Sequence, residues 1–231
     1  MRGLPHCRAP LVVRMDADDL MHRQRLRWQL ELLAREPGLV GCGGHVRLFP
    51  RSDVDAGMRR YERWLGSIDS ASRLEREAYI ECPLAHPTLV LRTEVLHELG
   101  YRDQGWPEDW DLILRLLAAG HRLGVVPRRL LFWRQGPHRL SRTHPAYSLE
   151  AFVACRASFL ARGFLAAHPR YVLWGYGDTG KALRRALAGH GKEPSEIVEL
   201  HPGRLGQRIF GAPVVAPETL AGERPARIIV S

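Results

Sequence analysis

The chain has 231 residues, 45% of them apolar, enough to bury a core in one or two domains. No run reaches the roughly 20 apolar residues of a membrane span, and MRGLPHCRAP has no signal-peptide core before Pro10, so a soluble, cytoplasmic protein is expected. A net charge of +9 raises nucleic acid as a partner, but only Lys181 and Lys192 are lysines and the arginines are spread along the chain, which reads as compositional bias.

The four cysteines (Cys7, Cys42, Cys82, Cys155) form no CxxC pair and read as reduced thiols. LVVRM at residues 11–15 reads as a buried strand that ends abruptly in acid. Leu26, Leu30 and Leu33 recur at helical spacing within residues 20–35, and Glu36-Pro37-Gly38 stops that helix. Residues 39–49 alternate loosely around Gly41, Gly43 and Gly44 and predict a strand with close backbone contacts. Residues 53–81 are more polar, with a helix predicted over 70–79. HPTLVLR at 86–92 reads as strand, followed by a short helix that ends at Gly100. A strongly amphipathic helix follows over 110–119, then strands over 123–126 and 130–133.

A long helix is predicted over 147–167, ended by His168-Pro169. The pattern then restarts as strand (171–174), the turn GYGDTG, helix (181–188) and strand (197–200), a β-α-β unit. That places the domain boundary near residue 168, giving domains 1–167 and 168–231. RIIVS at the end reads as a new strand without its helix, so the second domain is expected to be incomplete.

Three polar clusters carry candidate chemistry. Asp16, Asp18 and Asp19 follow a strand directly, at the edge where α/β folds bind ligands. Asp16 and Asp18 would project to one side if the strand continued, and two hard oxygen ligands suit Mg²⁺ or Mn²⁺ on a substrate diphosphate. The alternative is a turn whose Asp18 or Asp19 caps the next helix. The second cluster, PEDWD, puts Glu108, Asp109 and Asp111 at a helix start, either to cap it or to supply a general base. The third, WRQGPHRLSRT, is an arginine-rich loop that either stays solvated or clamps phosphate oxygens, with His138 able to offer a nitrogen ligand.

In order, RMDADD, AHPTLVLR, GYRDQGWPEDWDLILRLLAAG and LLFWRQGPHRLSR resemble family 2 glycosyltransferases of the A-type fold, over residues 3 to 167. The resemblance implies an α/β fold, a mixed sheet flanked by helices, that transfers a sugar from a nucleoside-diphosphate sugar to an acceptor hydroxyl with inversion. By resemblance Asp16 and Asp18, with Asp19 adjacent, hold Mg²⁺ or Mn²⁺, and Asp109, paired with Glu108, is the base. His86 and Arg92 match the strand bordering the acceptor cleft, Asp111 belongs to the same helix start, and His138, Ser141 and Arg142 match the loop that closes over the diphosphate. The acceptor would be a glycan, a lipid-linked oligosaccharide or a protein, with peripheral contact to the inner face of a membrane. The family's preceding segment, with its first βαβ units and nucleoside site, has no counterpart here, so little transferase activity is expected of this chain alone.

Gly175, Gly177 and Gly180 form GxGxxG between strand and helix, and Glu199 ends the next strand, as in a Rossmann-like nucleotide site. GxPV at residues 211–214 resembles a strand of nucleotide-binding regions in sugar-modifying enzymes and acyltransferases. The rival readings are glycines that serve strand–helix packing alone, an NAD(P)-linked oxidoreductase, which lacks a nearby acid or base, and a catalytically silent binding module.

Overall fold

In the computed structural model, which describes residues 3–137, 139–221 and 227–231, the apolar run after Pro10 is a short strand, β1 (Leu11–Val13). It stops before the acids: Asp16 to Asp19 form a turn in which the Asp19 amide donates to the Asp16 carbonyl at 3.3 Å. Leu20–Met21 form an edge strand, β2, and the helix expected from residue 20 begins only at Arg25, as α1 (Arg25–Arg35). Besides Leu32 and Leu33, α1 buries Arg25 and Gln29. Both bond to backbone: Arg25 Nη2 donates to the Arg14 carbonyl at 2.9 Å and Gln29 Nε2 to the Thr88 carbonyl at 2.8 Å. The first bond ties the helix to the end of β1 just before the aspartates, the second to the turn His86–Thr88.

The strand β3 (Leu39–Phe49) matches its expected span. The polar stretch after it holds two helices where one was expected, α2 (Ala56–Ser67) and α3 (Ala71–Glu77). Asp55 starts α2 by accepting from the Met58 amide at 2.8 Å, and its arginine-rich sequence fully buries only Leu65. Residues 86–92 are strand only at their end: His86–Thr88 form a 3-10 turn before β4 (Val90–Arg92). Next come α4 (Thr93–Leu99) and α5 (Glu108–Ala118). Three acids in the first turn of α5 match its positive dipole end, and Trp110, Leu112, Ile113, Leu114 and Leu116 bury its apolar side.

The two strands expected over 123–133 are one, β5 (Arg122–Arg134). Its ladder to β3 pairs Gly44 with Val126 and then His45 with Arg129, so Pro127 and Arg128 bulge outward. Proline offers no amide for a ladder bond, which is where a bulge costs least. The first sheet has the order β1-β4-β3-β5-β2; β3 and β5 run parallel and the other pairs antiparallel. This is the mixed α/β architecture expected from the sequence. A short helix, α6 (Leu140–Thr143), follows.

The backbone divides at His144/Pro145 into two units, Met1–His144 and Pro145–Ser231. The helix α7 (Leu149–Arg162) therefore lies with the second unit, not with the first as the boundary near 168 would have it. The reason is packing. Its side chains Val153, Cys155, Ala157, Phe159 and Leu160 are buried, and it packs on α8 (Asp178–Ala188) of the same unit. The strands of this unit are β6 (Arg170–Trp174), β7 (Glu193–Val198), β8 (Arg208–Ile209), β9 (Ala212–Val215) and β10 (Ile228–Val230). They form a sheet of order β10-β6-β7-β9-β8, parallel except for β8. No helix among the described residues is long and apolar enough to cross a membrane.

Candidate active site

The three aspartates of the turn sit in different surroundings. Asp18 is exposed and Asp16 half-buried, with its carboxylate ion-paired to Arg14. Asp19 is 5% exposed. Its Oδ1 accepts from the Arg134 amide at 2.7 Å, while the Arg134 side chain donates to the Asp18 carbonyl at 2.7 Å. Oδ2 of Asp19 has no hydrogen-bond partner among the described residues. Burial, and after it the neighbouring carboxylates Asp16 and Asp18, raise the Asp19 carboxyl to about 6. Neither Asp18 nor Asp19 caps α1, whose N-cap is Gln24 without a side-chain cap bond. The alternation expected of a continued strand is replaced by a turn, because β1 has already ended.

Asp109 stands in the first turn of α5 behind Pro107, which is the N-cap and makes no side-chain cap bond. Its Oδ1 accepts from the Trp110 amide at 2.8 Å. Burial, reinforced by the adjacent Glu108, raises the Asp109 carboxyl to about 6, while Arg14 works in the opposite direction. Asp111 is fully buried and committed: it accepts from Arg115 Nε at 2.7 Å, from Arg102 Nη2 at 3.1 Å and from Trp106 Nε1 at 3.1 Å. Its place in the site is therefore to hold the Gly105-Trp106-Pro107 turn, leaving no free oxygen for a substrate.

His86, also buried, meets the Tyr101 hydroxyl through Nε2 at 2.6 Å. Burial first, and Arg14 next, push its pKa down to about 3, so the ring is neutral. Arg14 also acts on Tyr101. The charge of this guanidinium, ion-paired to Asp16, is thus felt at His86, Tyr101 and Asp109. Sequence reasoning passed over Arg14 and Tyr101. The first is quoted in the acidic run, but its reach depends on where the side chain folds. Arg92 goes elsewhere: it donates to the carbonyls of Leu39 and Pro37, both at 3.1 Å, and fastens the start of β3.

In the loop after β5, Arg139 stacks its guanidinium over Trp133 at 4.5 Å from the ring centre. It is partly desolvated there, which lowers its pKa, and it feels the charges of Asp19, Asp16 and Asp18. Arg142 donates to the Asp53 carbonyl at 3.3 Å and lies 3.8 Å from Asp55, beside Arg139. Ser141 is exposed. His138 lies outside the described residues. Arg139, within the quoted loop but not singled out, feels the charges of all three aspartates.

In the second unit, the three glycines are not equivalent. Gly175 has φ +93°, which favours glycine. A Cβ on Gly180 would lie 2.3 Å from the Gly175 carbonyl oxygen, so α8 can start against the turn only without one. Gly177, the N-cap of α8, would meet nothing within 4 Å. Glu199 is held by Arg204 at 2.8 Å, and the same Arg204 nitrogen donates to the Tyr176 carbonyl at 3.1 Å.

A family model described as "Glycosyltransferase like family 2" matches residues 1–156. An uncharacterized glycosyltransferase of Haemophilus influenzae is 28% identical over 141 residues, 61% of this chain and 50% of that protein. The amylovoran biosynthesis glycosyltransferase AmsE of Erwinia amylovora is 28% identical over 135 residues, 58% of this chain and 48% of that protein. The chain spans about half the length of the curated relatives it matches. Among solved structures, S. aureus TarS 1-349 in complex with UDP-GlcNAc aligns with a TM-score of 0.48 and 13% identity over 82% of this chain and 51% of that one.

Proposed function

The chain belongs to the family 2-like glycosyltransferases, and on that premise we propose that residues 1–144 supply the metal and acceptor side of a transfer from a nucleoside-diphosphate sugar to a hydroxyl, with inversion. The observation that carries this reading is Asp109. It is a carboxylate in the first turn of α5 with its pKa raised to about 6, and the charge of Arg14, which is ion-paired to Asp16, bears on it.

The donor set of the turn fits a hard divalent cation. Asp18 is exposed, and buried Asp19 keeps Oδ2 unpartnered. Among the described residues no three His, Cys, Asp or Glu side chains form a ready metal cage. Mg²⁺ or Mn²⁺ does not need one, since it completes its shell with water and substrate phosphate oxygens. Asp16 and Asp18 would hold the ion, with Asp19 behind them; when bound it neutralises charge on the departing diphosphate.

The rest follows from this chain's own side chains. Asp109 takes the proton of the acceptor hydroxyl as its oxygen bonds to the anomeric carbon and the bond to diphosphate breaks on the opposite face. Arg139 and Arg142 steady the negative charge of the leaving group. Neutral His86, bonded to Tyr101, borders the acceptor position without adding a charge that would oppose Asp109.

Turnover of a panel of nucleotide sugars with Mn²⁺, by the protein containing this chain, tests the assignment. Asp109→Asn is expected to lower kcat by about a thousandfold with little change in donor KM. Asp18→Ala is expected to lose turnover that added Mn²⁺ does not restore. Normal turnover by either variant overturns the corresponding role.

A further inference from the structure

The arginines that look evenly spread along the sequence converge in space. Arg47, Arg51, Arg59, Arg63, Arg128 and Arg129 line one groove of the first unit, about 450 Å³ in volume, with Glu62 as the carboxylate of its lining. The fold builds this from two elements. On α2, positions 59, 62, 63 and 66 share one face. Across from it, the bulge in β5 lifts Pro127 and Arg128 out of the ladder and sets Arg129 opposite His45.

Glu62 is already taken up. Its Oε2 pairs with Arg51 at 2.6 Å, and its Oε1 accepts from the Leu48 amide at 3.0 Å and lies 3.7 Å from Arg47. Arg59, Arg63, Arg128 and Arg129 have no carboxylate partner among the described residues. Arg128 is steadied by Trp28, 4.9 Å from the ring centre, and Arg129 by Phe132 at 5.7 Å. Stacking fixes the guanidinium planes and leaves their N–H edges for an anion.

We propose that this groove binds a phosphate-dense ligand, a diphosphate group, through residues separate from the Asp16–Asp19 turn. Guanidinium forks match phosphate oxygens two at a time, and several forks around one hollow suit a compact group with several negative charges. The shape favours such a group over the plane of a bilayer, because the groove is concave and its apolar lining is only Val46, Pro127 and Gly66. The same chemistry is offered by a soluble diphosphate and by the headgroup of a lipid diphosphate.

The test is calorimetric titration of the full chain with inorganic pyrophosphate, in chelator and without divalent cation so that the aspartate turn takes no part. Saturable binding that weakens with salt is expected. Arg63→Glu with Arg129→Glu should weaken it at least about tenfold, and the Gln pair at the same positions serves if charge reversal disturbs folding. Arg35→Glu with Arg122→Glu, an equal charge change at exposed sites outside the groove, should leave affinity within about twofold. No saturable binding, or equal losses from both pairs, overturns the proposal. Vesicles then separate the sources. Preference for vesicles doped with a lipid diphosphate over phosphatidylglycerol vesicles of equal charge assigns a headgroup, and binding of free pyrophosphate alone assigns a soluble ligand. Equal binding to both vesicles without pyrophosphate binding is charge attraction only, and also overturns the proposal.

Discussion

At the scale of single residues, burial and Glu108 set the working range of the proposed base, and Arg14 trims it. It lowers the Asp109 pKa, against the larger rise from burial and Glu108 that leaves the group at about 6. The base works deprotonated, so kcat/KM is expected to climb as pH rises through about 6 and then level off. Arg14→Gln removes a cation that favours the carboxylate, so Asp109 should hold its proton to higher pH. The acidic limb should move up by about half a unit. A pH–rate profile reads this directly, and a limb that stays put or moves down removes Arg14 from the account. His86, pushed down to about 3, should contribute no limb of its own. The acids of this site were legible because three carboxylates after an apolar run are unusual. The cations were not: an arginine-rich chain hides Arg14 and Arg139 among many, and only the folded path shows which guanidinium reaches which acid. Asp111 is the converse, a site candidate in sequence whose oxygens are already used inside the protein.

At the scale of elements, the strong patterns were readable and the short or polar pieces were not. The span of β3 and the body of α5 follow from apolar runs long enough to fix their period. The helix α2 escaped because its apolar positions Met58, Tyr61, Trp64 and Leu65 are interleaved with arginines and two glycines, and only Leu65 is buried. β5 was read as two strands because a bulge looks like a break. The glycine turn before α8 tests how far packing explains a motif. Gly180→Ala would force a Cβ to 2.3 Å from a backbone oxygen, so α8 or the turn must shift. A loss of about 1–3 kcal/mol in urea unfolding is expected. Gly177→Ala meets open space and should cost less than about 1 kcal/mol. Equal costs would mean that the turn adapts and that the third glycine is not fixed by helix packing.

For the whole molecule, the question is where one folding unit ends. Proline at 169 and the restart of a strand pattern place the boundary near residue 168, whereas the backbone divides at His144/Pro145. The apolar face of α8 offers Leu183 and Leu187, both buried, and α7 packs on that helix. Burying one such leucine contributes about 1.5–3 kcal/mol, against a net stability of about 5–15 kcal/mol for a whole domain. A piece that begins at residue 168 would thus expose much of what stabilises it, and the buried side chains of α7 would be lost with their partners. Residues 145–231 expressed alone are therefore expected to unfold cooperatively in urea, whereas residues 168–231 should show no cooperative transition. If the shorter piece unfolds as sharply as the longer, α7 is not part of the second core, and the boundary read from Pro169 is the better one.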